Sequence, residues 1–242
     1  MSDYGIFKFR AIDKYLLASL VNSEIYFAQL SCLNDPFDCR VDIRRALDNA
    51  IIKSPPERRD ALRKLRKMQG FLEKVRTKVS EIGVNSFSLE LNNPLMWSHY
   101  ADGHRGISLM YSIPDAYFYD KKDTILGMTP VEYATNPLTD WFVGPDFSLG
   151  SKEEFGLPLV KKILTIKAKP WEYEDEVRIL RRTPGVESLE RKHLKQVYFG
   201  LQTTEADRAL VTKIIKQGQY DLTPSRKVRC SETDFGIKPE EI

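Results

Sequence analysis

Apolar residues recur at two spacings along the chain, and together they predict a mixture of helices and strands. Helical spacing with Asp13 as a cap predicts a first helix that ends at Asn22. Further helices are predicted over residues 55–83, 95–102 and 204–217, and short apolar or alternating runs predict strands over 24–28, 84–89, 106–111, 163–168, 177–180, 195–199 and 227–230. The order is irregular and lacks a steady βαβ alternation, which favours an α+β fold.

The length of 242 residues, of which 42% are hydrophobic, is enough for one sizeable core. We therefore expect a single domain over residues 1–242, with a long basic helix inserted at about 55–83. A Gly- and Pro-containing segment at about 134–150 is predicted to be a long ordered loop that exposes Trp141, Phe142 and Phe147.

Composition excludes several classes of protein. No apolar run approaches the length of a membrane span, and Cys32, Cys39 and Cys230 lack the pattern of a disulfide framework, so we expect a cytoplasmic protein that contacts no membrane. A metal site is not expected, because the Cys and His residues lack the close paired spacing of structural zinc. No glycine-rich phosphate loop of the common types, nucleophile elbow or zinc-protease helix is present either.

Positive charge is concentrated in the predicted helix over residues 55–83. The net charge of the chain is only +3, yet most of that excess lies between residues 57 and 78. One hypothesis is a nucleic-acid or protein binding module that uses this helix, with the contacts made by Arg63, Lys64, Arg66 and Lys67. The other interpretation is an ordinary solvated helix face.

Two segments combine carboxylates with other polar groups. In N-D-P-F-D, Asn34, Asp35 and Asp38 surround a proline and are typical of a turn, which either is purely structural or positions a site. In W-E-Y-E-D-E-V-R, strand alternation would place Glu172, Glu174, Glu176 and Arg178 on one face. That face serves either catalysis or an ion-pair network that ties Arg178 to Asp35 or Asp38.

The M-W-S-H-Y segment has helical character. Its spacing directs Trp97 and Tyr100 toward the core and leaves His99 off the face that Met96 and Tyr100 share. His99 is a candidate for acid–base catalysis, with a hydrogen-bonded structural histidine as the alternative.

These motifs carry a resemblance. The motifs are F-K-F-R from Phe7, N-D-P-F-D, S-F-S from Ser86, M-W-S-H-Y-A-D-x-x-x-G from Met96 and W-x-Y-E-x-E-x-R from Trp171. Together they resemble the bacterial domain-of-unknown-function family 2971. The resemblance covers nearly the whole chain. It names a family without giving a chemistry.

A more distant resemblance is to the ADP-ribosyltransferase-like superfamily, which implies a split, mostly antiparallel sheet and NAD as the substrate. By that resemblance the first site position falls on Lys8 or Arg10, the second on Ser86, Ser88 or Tyr100, and the catalytic position on Glu176, with Glu174 completing an E-x-E pair. Breaking the bond between nicotinamide and ribose passes through an oxocarbenium-like state that a carboxylate stabilises, and no metal is required.

This resemblance implies an NAD-using ADP-ribosyltransferase-like enzyme or an NAD glycohydrolase, acting as a toxin or phage-defence effector, and the binding module that uses the basic helix is the alternative. Its partners would be a dinucleotide and a nucleic-acid or protein acceptor. The oligomeric state is left open.

Overall fold

The computed structural model describes residues 5–39, 41–145, 147, 152–222, 225–231 and 236–240. The strands within these ranges are β1 (Ile6–Arg10), β2 (Glu24–Gln29), β3 (Gly83–Ser88), β4 (Ile107–Tyr111), β5 (Ile125–Pro130), β6 (Glu132–Ala134), β7 (Ile166–Ala168), β8 (Glu176–Arg181), β9 (Gly185–Ser188), β10 (Leu194–Phe199), β11 (Arg226–Cys230) and β12 (Ile237–Pro239). The helices are α1 (Lys14–Asn22), α2 (Ile43–Lys53), α3 (Pro56–Lys67), α4 (Gln69–Glu81), α5 (Pro94–Tyr100), α6 (Asp115–Asp120), α7 (Pro137–Val143), α8 (Lys152–Leu164) and α9 (Glu205–Gln217). Short 3₁₀ helices cover Leu30–Cys32, Lys169–Glu174 and Arg191–His193.

Ten of these strands form one sheet in the order β12-β11-β10-β4-β1-β3-β2-β9, with β8 and β5 branching from β3. Neighbouring strands are antiparallel except β10 and β11, and β6 and β7 form a separate parallel pair. The α+β class with a mixed, mostly antiparallel sheet is therefore confirmed.

The sheet divides at β3. Strand β8 pairs with all of β3 from Gly83 to Ser88 on one edge. The other edge is shared, because β2 pairs with Gly83 and Val84 while β1 pairs with Ser88. Within the described strands, the middle of β3 therefore has no strand partner on that edge, and a gap opens between β1 and β2.

Helices pack on both faces of the sheet. One core lies between the sheet residues Val84 and Leu180 and the helices α2, α3, α4, α7 and α8. A second core on the opposite face joins Phe87 and Leu109 to α1, α6 and α9. Among the described helices, none is both long and apolar enough to cross a membrane.

The long helix predicted over residues 55–83 is instead two helices. Met68 leaves the helical region with φ −81° and ψ 64°, and it separates α3 from α4. Leu65 and Leu72 lie seven residues apart and are both buried in the same core, so the break preserves the apolar period on which the prediction relied. Gly70, which has low helix propensity, is the second residue of α4.

Two other predicted elements also differ. The apolar run over residues 163–168 is not one strand, because Ile163 and Leu164 end α8 before β7 begins at Ile166. The predicted loop at about 134–150 contains α7, and Phe142 and Phe147 are buried rather than exposed. Residues 146 and 148–150 of that loop lie outside the described part of the chain. Short apolar runs do not by themselves distinguish strands from buried helix ends.

Candidate functional site

A cleft of about 1050 Å³ opens where the sheet divides. Ser86 and Ser88 share a face with the residues opposite them on β8, whereas Asn85 and Phe87 point to the other face. All four line the cleft. The cleft therefore reaches both faces of the sheet through the gap between β1 and β2.

A cation occupies one side of this gap. Lys8 on β1 donates hydrogen bonds from Nζ to Asn85 Oδ1 at 2.7 Å and to the Ser86 carbonyl at 2.6 Å, and its Nζ lies 5.4 Å from the centroid of the Phe87 ring. Burial lowers the pKa of Lys8 to about 7, and the charge of Arg10 adds to the decrease. Arg10 also lines the cleft, and its nearest recorded carboxylate is that of Asp13 at 3.7 Å. This side of the cleft is therefore electropositive.

Carboxylates line the cleft next to β8, at the opposite edge of β3, around the buried guanidinium of Arg178. Its two terminal nitrogens donate to Asp38 at 3.1 and 2.6 Å, Nε donates to Glu176 Oε1 at 2.7 Å, and NH2 also donates to Glu176 Oε2 at 3.0 Å. NH1 further donates to the Leu164 carbonyl at 2.9 Å. These bonds account for all five N–H groups of the guanidinium. Of the two partners considered for Arg178, Asp35 and Asp38, the structure shows an ion pair with Asp38.

Glu176 is held ionised at the floor of the cleft. Burial opposes its charge, but Arg178, Lys167 and a hydrogen bond with Ser86 outweigh burial and lower the pKa of Glu176 to about 2. Its backbone N–H also donates to the Tyr133 hydroxyl at 2.8 Å. Glu176 is only 4% exposed, so its carboxylate has one fixed orientation toward the cleft.

Glu174 differs from Glu176 although it lies two residues away. Its carboxylate accepts hydrogen bonds from the Tyr100 hydroxyl and the Lys167 ammonium. Burial nevertheless raises the pKa of Glu174 above its usual value. The cleft thus holds one strongly ionised carboxyl and one that takes up a proton more readily.

The N-D-P-F-D turn positions part of this site. Asp35 Oδ1 accepts the Phe37 N–H at 2.9 Å, and the Asp35 carbonyl accepts the Asp38 N–H at 3.1 Å. This tight turn leaves the Phe37 side chain 80% exposed while it buries Asp38 against Arg178. Asn34 and Asp35 line the cleft beside it.

The M-W-S-H-Y segment forms α5. Trp97 is fully buried and donates from Nε1 to the Leu91 carbonyl at 2.8 Å. His99 lines the cleft, and its Nδ1 lies 3.0 Å from the Tyr173 hydroxyl. The glycine that ends the motif, Gly106, approaches β1 so closely that a Cβ there would meet the Arg10 carbonyl oxygen at 2.2 Å. Gly106 is therefore needed where β1 leads into the site.

Comparison with known proteins agrees with part of the sequence resemblance. Residues 96–179 match the model of the family described as Protein of unknown function (DUF2971). No curated protein and no solved structure matches the chain. The DUF2971 match includes α5, Lys167, Glu174, Glu176 and Arg178, whereas Lys8 and the N-D-P-F-D turn lie before it.

One prediction for the DUF2971 segment, the position of Glu172, is wrong. Glu172 does not share the face of Glu174 and Glu176, because residues 169–174 form a 3₁₀ helix and Asp175 adopts a left-handed conformation with φ 42°. Glu172 is exposed and pairs with Lys169 instead. Trp171 lies in the same 3₁₀ helix, where its ring centroid is 5.1 Å from the Lys167 ammonium.

The basic residues of α3 lie apart from the cleft. None of Arg63, Lys64, Arg66 and Lys67 lines it, and two of them are paired, Arg63 with Asp60 at 3.1 Å and Arg66 with Asp48 at 2.7 Å. These ion pairs offset part of the local positive charge. Binding of nucleic acid by this helix stays a prediction.

Lys167 was not among the predicted site residues, although it lies among the carboxylates of the DUF2971 segment. A signal was available, because a lone lysine in the apolar run I-L-T-I-K-A is a charge that burial would force to find partners. Asn85, the hydrogen-bond partner of Lys8, was missed as well.

Proposed function

We propose that the cleft binds a dinucleotide such as NAD and cleaves its bond between nicotinamide and ribose, passing ADP-ribose to an acceptor or to water. The observation that carries this proposal is the charge arrangement of a single cleft, with Lys8 and Arg10 from β1 at one edge of β3 and with Glu174 and Glu176, just before and in β8, at the other edge. A dinucleotide has the matching pattern, since anionic phosphates lie beside a ribose that becomes cationic in the reaction.

The volume of the cleft supports a ligand of this size. About 1050 Å³ lies at the upper end of the range for small-molecule and cofactor sites. Lys8 and Arg10 would bind the phosphates, because both line the cleft and, among the described residues, Lys8 has no carboxylate within 4.0 Å and Arg10 pairs only with the partly exposed Asp13 at 3.7 Å. The divided sheet is also the feature that the resemblance to ADP-ribosyltransferase-like enzymes would imply.

The two carboxyls suit different roles in the reaction. Glu176 stays ionised and fixed, so it would stabilise the positive charge that develops on the ribose when nicotinamide leaves. Glu174 has a raised pKa and a hydrogen bond from Tyr100, so it would exchange a proton with the acceptor. Ser86, hydrogen-bonded to Glu176, would help to orient that carboxylate. The Ser88 hydroxyl, by contrast, is occupied by Glu90 in the turn that follows β3.

An enzyme of this kind depletes or transfers part of an abundant cofactor, which suits a toxin or phage-defence effector acting in the cytoplasm. His99, at the wall of the cleft, is placed to contact the leaving group or the acceptor. A nucleic acid or a protein would serve as the acceptor. No metal takes part in this scheme.

The test is to incubate purified protein with NAD and to measure the released nicotinamide by chromatography. Glu176→Gln should lower the rate at least about a hundredfold, because a neutral amide cannot stabilise the developing charge. The matched control is Glu172→Gln, since Glu172 is close in sequence but exposed and outside the cleft. Equal release by the wild type, Glu176→Gln and Glu172→Gln proteins would refute the assignment. So would a wild-type protein that neither binds nor cleaves NAD.

A further inference from the structure

Lys167 on β7 is a buried cation surrounded by the carboxylates of the cleft. Its Nζ donates to Glu174 and, at 3.1 Å, to Glu176, and it lies 3.8 Å from Asp38. The Trp171 ring covers the same ammonium. The Lys167 side chain is only 7% exposed, so these contacts replace most of its hydration.

The backbone does not by itself bring Glu174 and Glu176 together. Glu174 ends a 3₁₀ helix and Glu176 begins β8, with the left-handed Asp175 between them. Strand alternation, which would place residues i and i+2 on one face, therefore does not apply across this junction. Lys167 bonds to one oxygen of each carboxylate and so spans the junction.

Arg178 cannot substitute for Lys167 in this role. Its N–H groups are used by Asp38, Glu176 and the Leu164 carbonyl, and no bond from Arg178 to Glu174 is recorded. Lys167 is therefore the cation that joins Glu174 to the rest of the cluster.

We propose that Lys167 is a positioning residue of the cleft, which sets the spacing of Glu174 and Glu176 and stabilises the ionised form of Glu174, the carboxyl of the pair that exchanges a proton. The role in catalysis rests on the proposed function, whereas the placement of the proton can be measured without it. The ammonium stabilises both carboxylates, but Arg178 adds a second cation to Glu176 alone. The proton therefore goes to Glu174.

Several other ionisable groups face this pair from the surrounding elements. They are Asp38 after the N-D-P-F-D turn, Lys8 on β1, Tyr100 and His99 on α5, Tyr133 on β6, Tyr173 in the 3₁₀ helix and Arg178 on β8. Among them Tyr100 bonds to Glu174 directly, so its contribution has to be separated from that of Lys167.

The experiment compares Lys167→Met, Lys167→Arg and the control Lys169→Met. Lys169 lies two residues away but is exposed and pairs only with Glu172 among the contacts recorded for the described residues. Carboxyl carbons of ¹³C-labelled glutamate report the titration of Glu174 and Glu176 by NMR, with Glu174→Gln and Glu176→Gln used to assign the signals. Lys167→Met should raise the titration midpoint of Glu174, because a neighbouring cation is lost, and Lys167→Arg should largely restore it. Lys169→Met should leave it unchanged.

Kinetics on NAD supply the second readout. In Lys167→Met, kcat should fall by at least about tenfold, because the two carboxyls lose their spacing. KM should change by less than about twofold, because Lys8 and Arg10, which would bind the phosphates, are unchanged. The acid limb of the kcat profile should move to higher pH together with the NMR midpoint of Glu174. A wild-type protein without activity on NAD would refute the proposed function but leave the NMR result to decide the placement of the proton.

An unchanged Glu174 midpoint in folded Lys167→Met would overturn the proposal. If Lys167→Met does not fold, Lys167→Gln takes its place, because glutamine keeps an N–H donor for the carboxylates but carries no charge. Lys167→Gln should then raise the Glu174 midpoint in the same direction. No shift in folded Lys167→Gln would equally overturn the proposal.

Discussion

Replacing Arg178 with methionine should destabilise the protein strongly, because it removes the cation from a buried cluster of carboxylates. The guanidinium is fully buried and bonds to both Asp38 and Glu176. Methionine has a similar length and no charge, so the change leaves these two carboxylates without their main partner. Breaking a buried ion pair by removing one member typically costs about 3–5 kcal/mol.

The pKa of Glu176 gives a second route to this magnitude. The ordinary value of 4.5 falls to about 2 in the folded protein, chiefly because Arg178 and Lys167 outweigh the effect of burial. One pKa unit corresponds to about 1.4 kcal/mol, so this difference contributes about 3 kcal/mol to the free energy of unfolding. The folded pKa is depressed, so the contribution is complete above pH 4.5 and is lost as the pH falls toward 2.

Urea denaturation followed by circular dichroism measures the effect, at pH 7 and at several values between 5 and 2.5. We expect Arg178→Met to lower the free energy of unfolding by about 3–5 kcal/mol at pH 7 and to flatten its dependence on pH. Arg181→Met is the matched control on β8, since Arg181 pairs at 3.1 Å with Glu187, which keeps Lys121 as a second cation at 2.9 Å. Its cost should stay within about 1 kcal/mol. Equal losses for the two variants, or a pH dependence unchanged in Arg178→Met, would refute the reasoning.

Three further predictions concern the cleft and the basic helix. The KM for NAD should rise above pH 7, because Lys8 loses its positive charge as the pH passes its pKa of about 7. Lys8→Arg should remove this dependence of KM on pH. Steady-state kinetics between pH 6 and 9 measure it, and a KM of the wild type that does not change with pH would contradict the prediction. Tyr100→Phe should destabilise the protein by about 1–2 kcal/mol and raise the pKa of Glu174, because the Tyr100 hydroxyl donates a hydrogen bond to that carboxylate. Thermal unfolding measures the stability, and ¹³C NMR measures the titration of Glu174. An unchanged titration of Glu174 would contradict the assigned hydrogen bond. Replacing Lys64 and Lys67 together by glutamine should change the free energy of unfolding by less than about 0.5 kcal/mol, since both side chains are exposed. The same variant tests the binding hypothesis for the basic helix. A gel shift with RNA at low salt that the wild type shows and this variant does not would support that hypothesis.

Local signals predicted the elements whose ends are marked in the sequence. Asp13 accepts the Leu16 N–H at 2.8 Å and begins α1, as its position before the apolar period indicated. Thr204 likewise caps α9 through the Asp207 N–H. In both helices the cap and the buried face lie within one short stretch of sequence, so spacing alone is sufficient.

Elements that depend on distant packing were missed or misjudged. The strand β5 was not predicted, because Gly127 and Pro130 interrupt its apolar pattern although Ile125 is almost fully buried. The helix α2 is an exception: it was missed even though Ile43, Leu47 and Ala50 recur at helical spacing and are buried. The W-E-Y-E-D-E-V-R segment contains a 3₁₀ helix and a left-handed Asp175, which no alternation rule can reveal. The backbone conformation at Asp175 is coupled to the ion pairs that Glu174 and Glu176 form with Lys167.

The candidate site was predicted by residue type more successfully than by arrangement. An ion pair of Arg178 with Asp35 or Asp38 was expected as the alternative to catalysis, and the structure joins Arg178 to Asp38 across 140 residues. The relative positions of Lys8 and Glu176 on two sides of a divided sheet could not be predicted, because they depend on where β1, β2 and β8 meet β3.

The division of the sheet at β3 has a consequence during synthesis on the ribosome. Lys8 reaches Ser86 across 78 residues, and Arg178 reaches Asp38 across 140, so neither side of the cleft forms from a local segment. Such long-range contacts form late, after the entropy of closing large loops has been overcome. A nascent chain that ends before β8 lacks Glu176 and Arg178 and leaves β3 without its longest partner. The cleft can therefore be completed only once β8, with Glu176 and its partner Arg178, has left the ribosome.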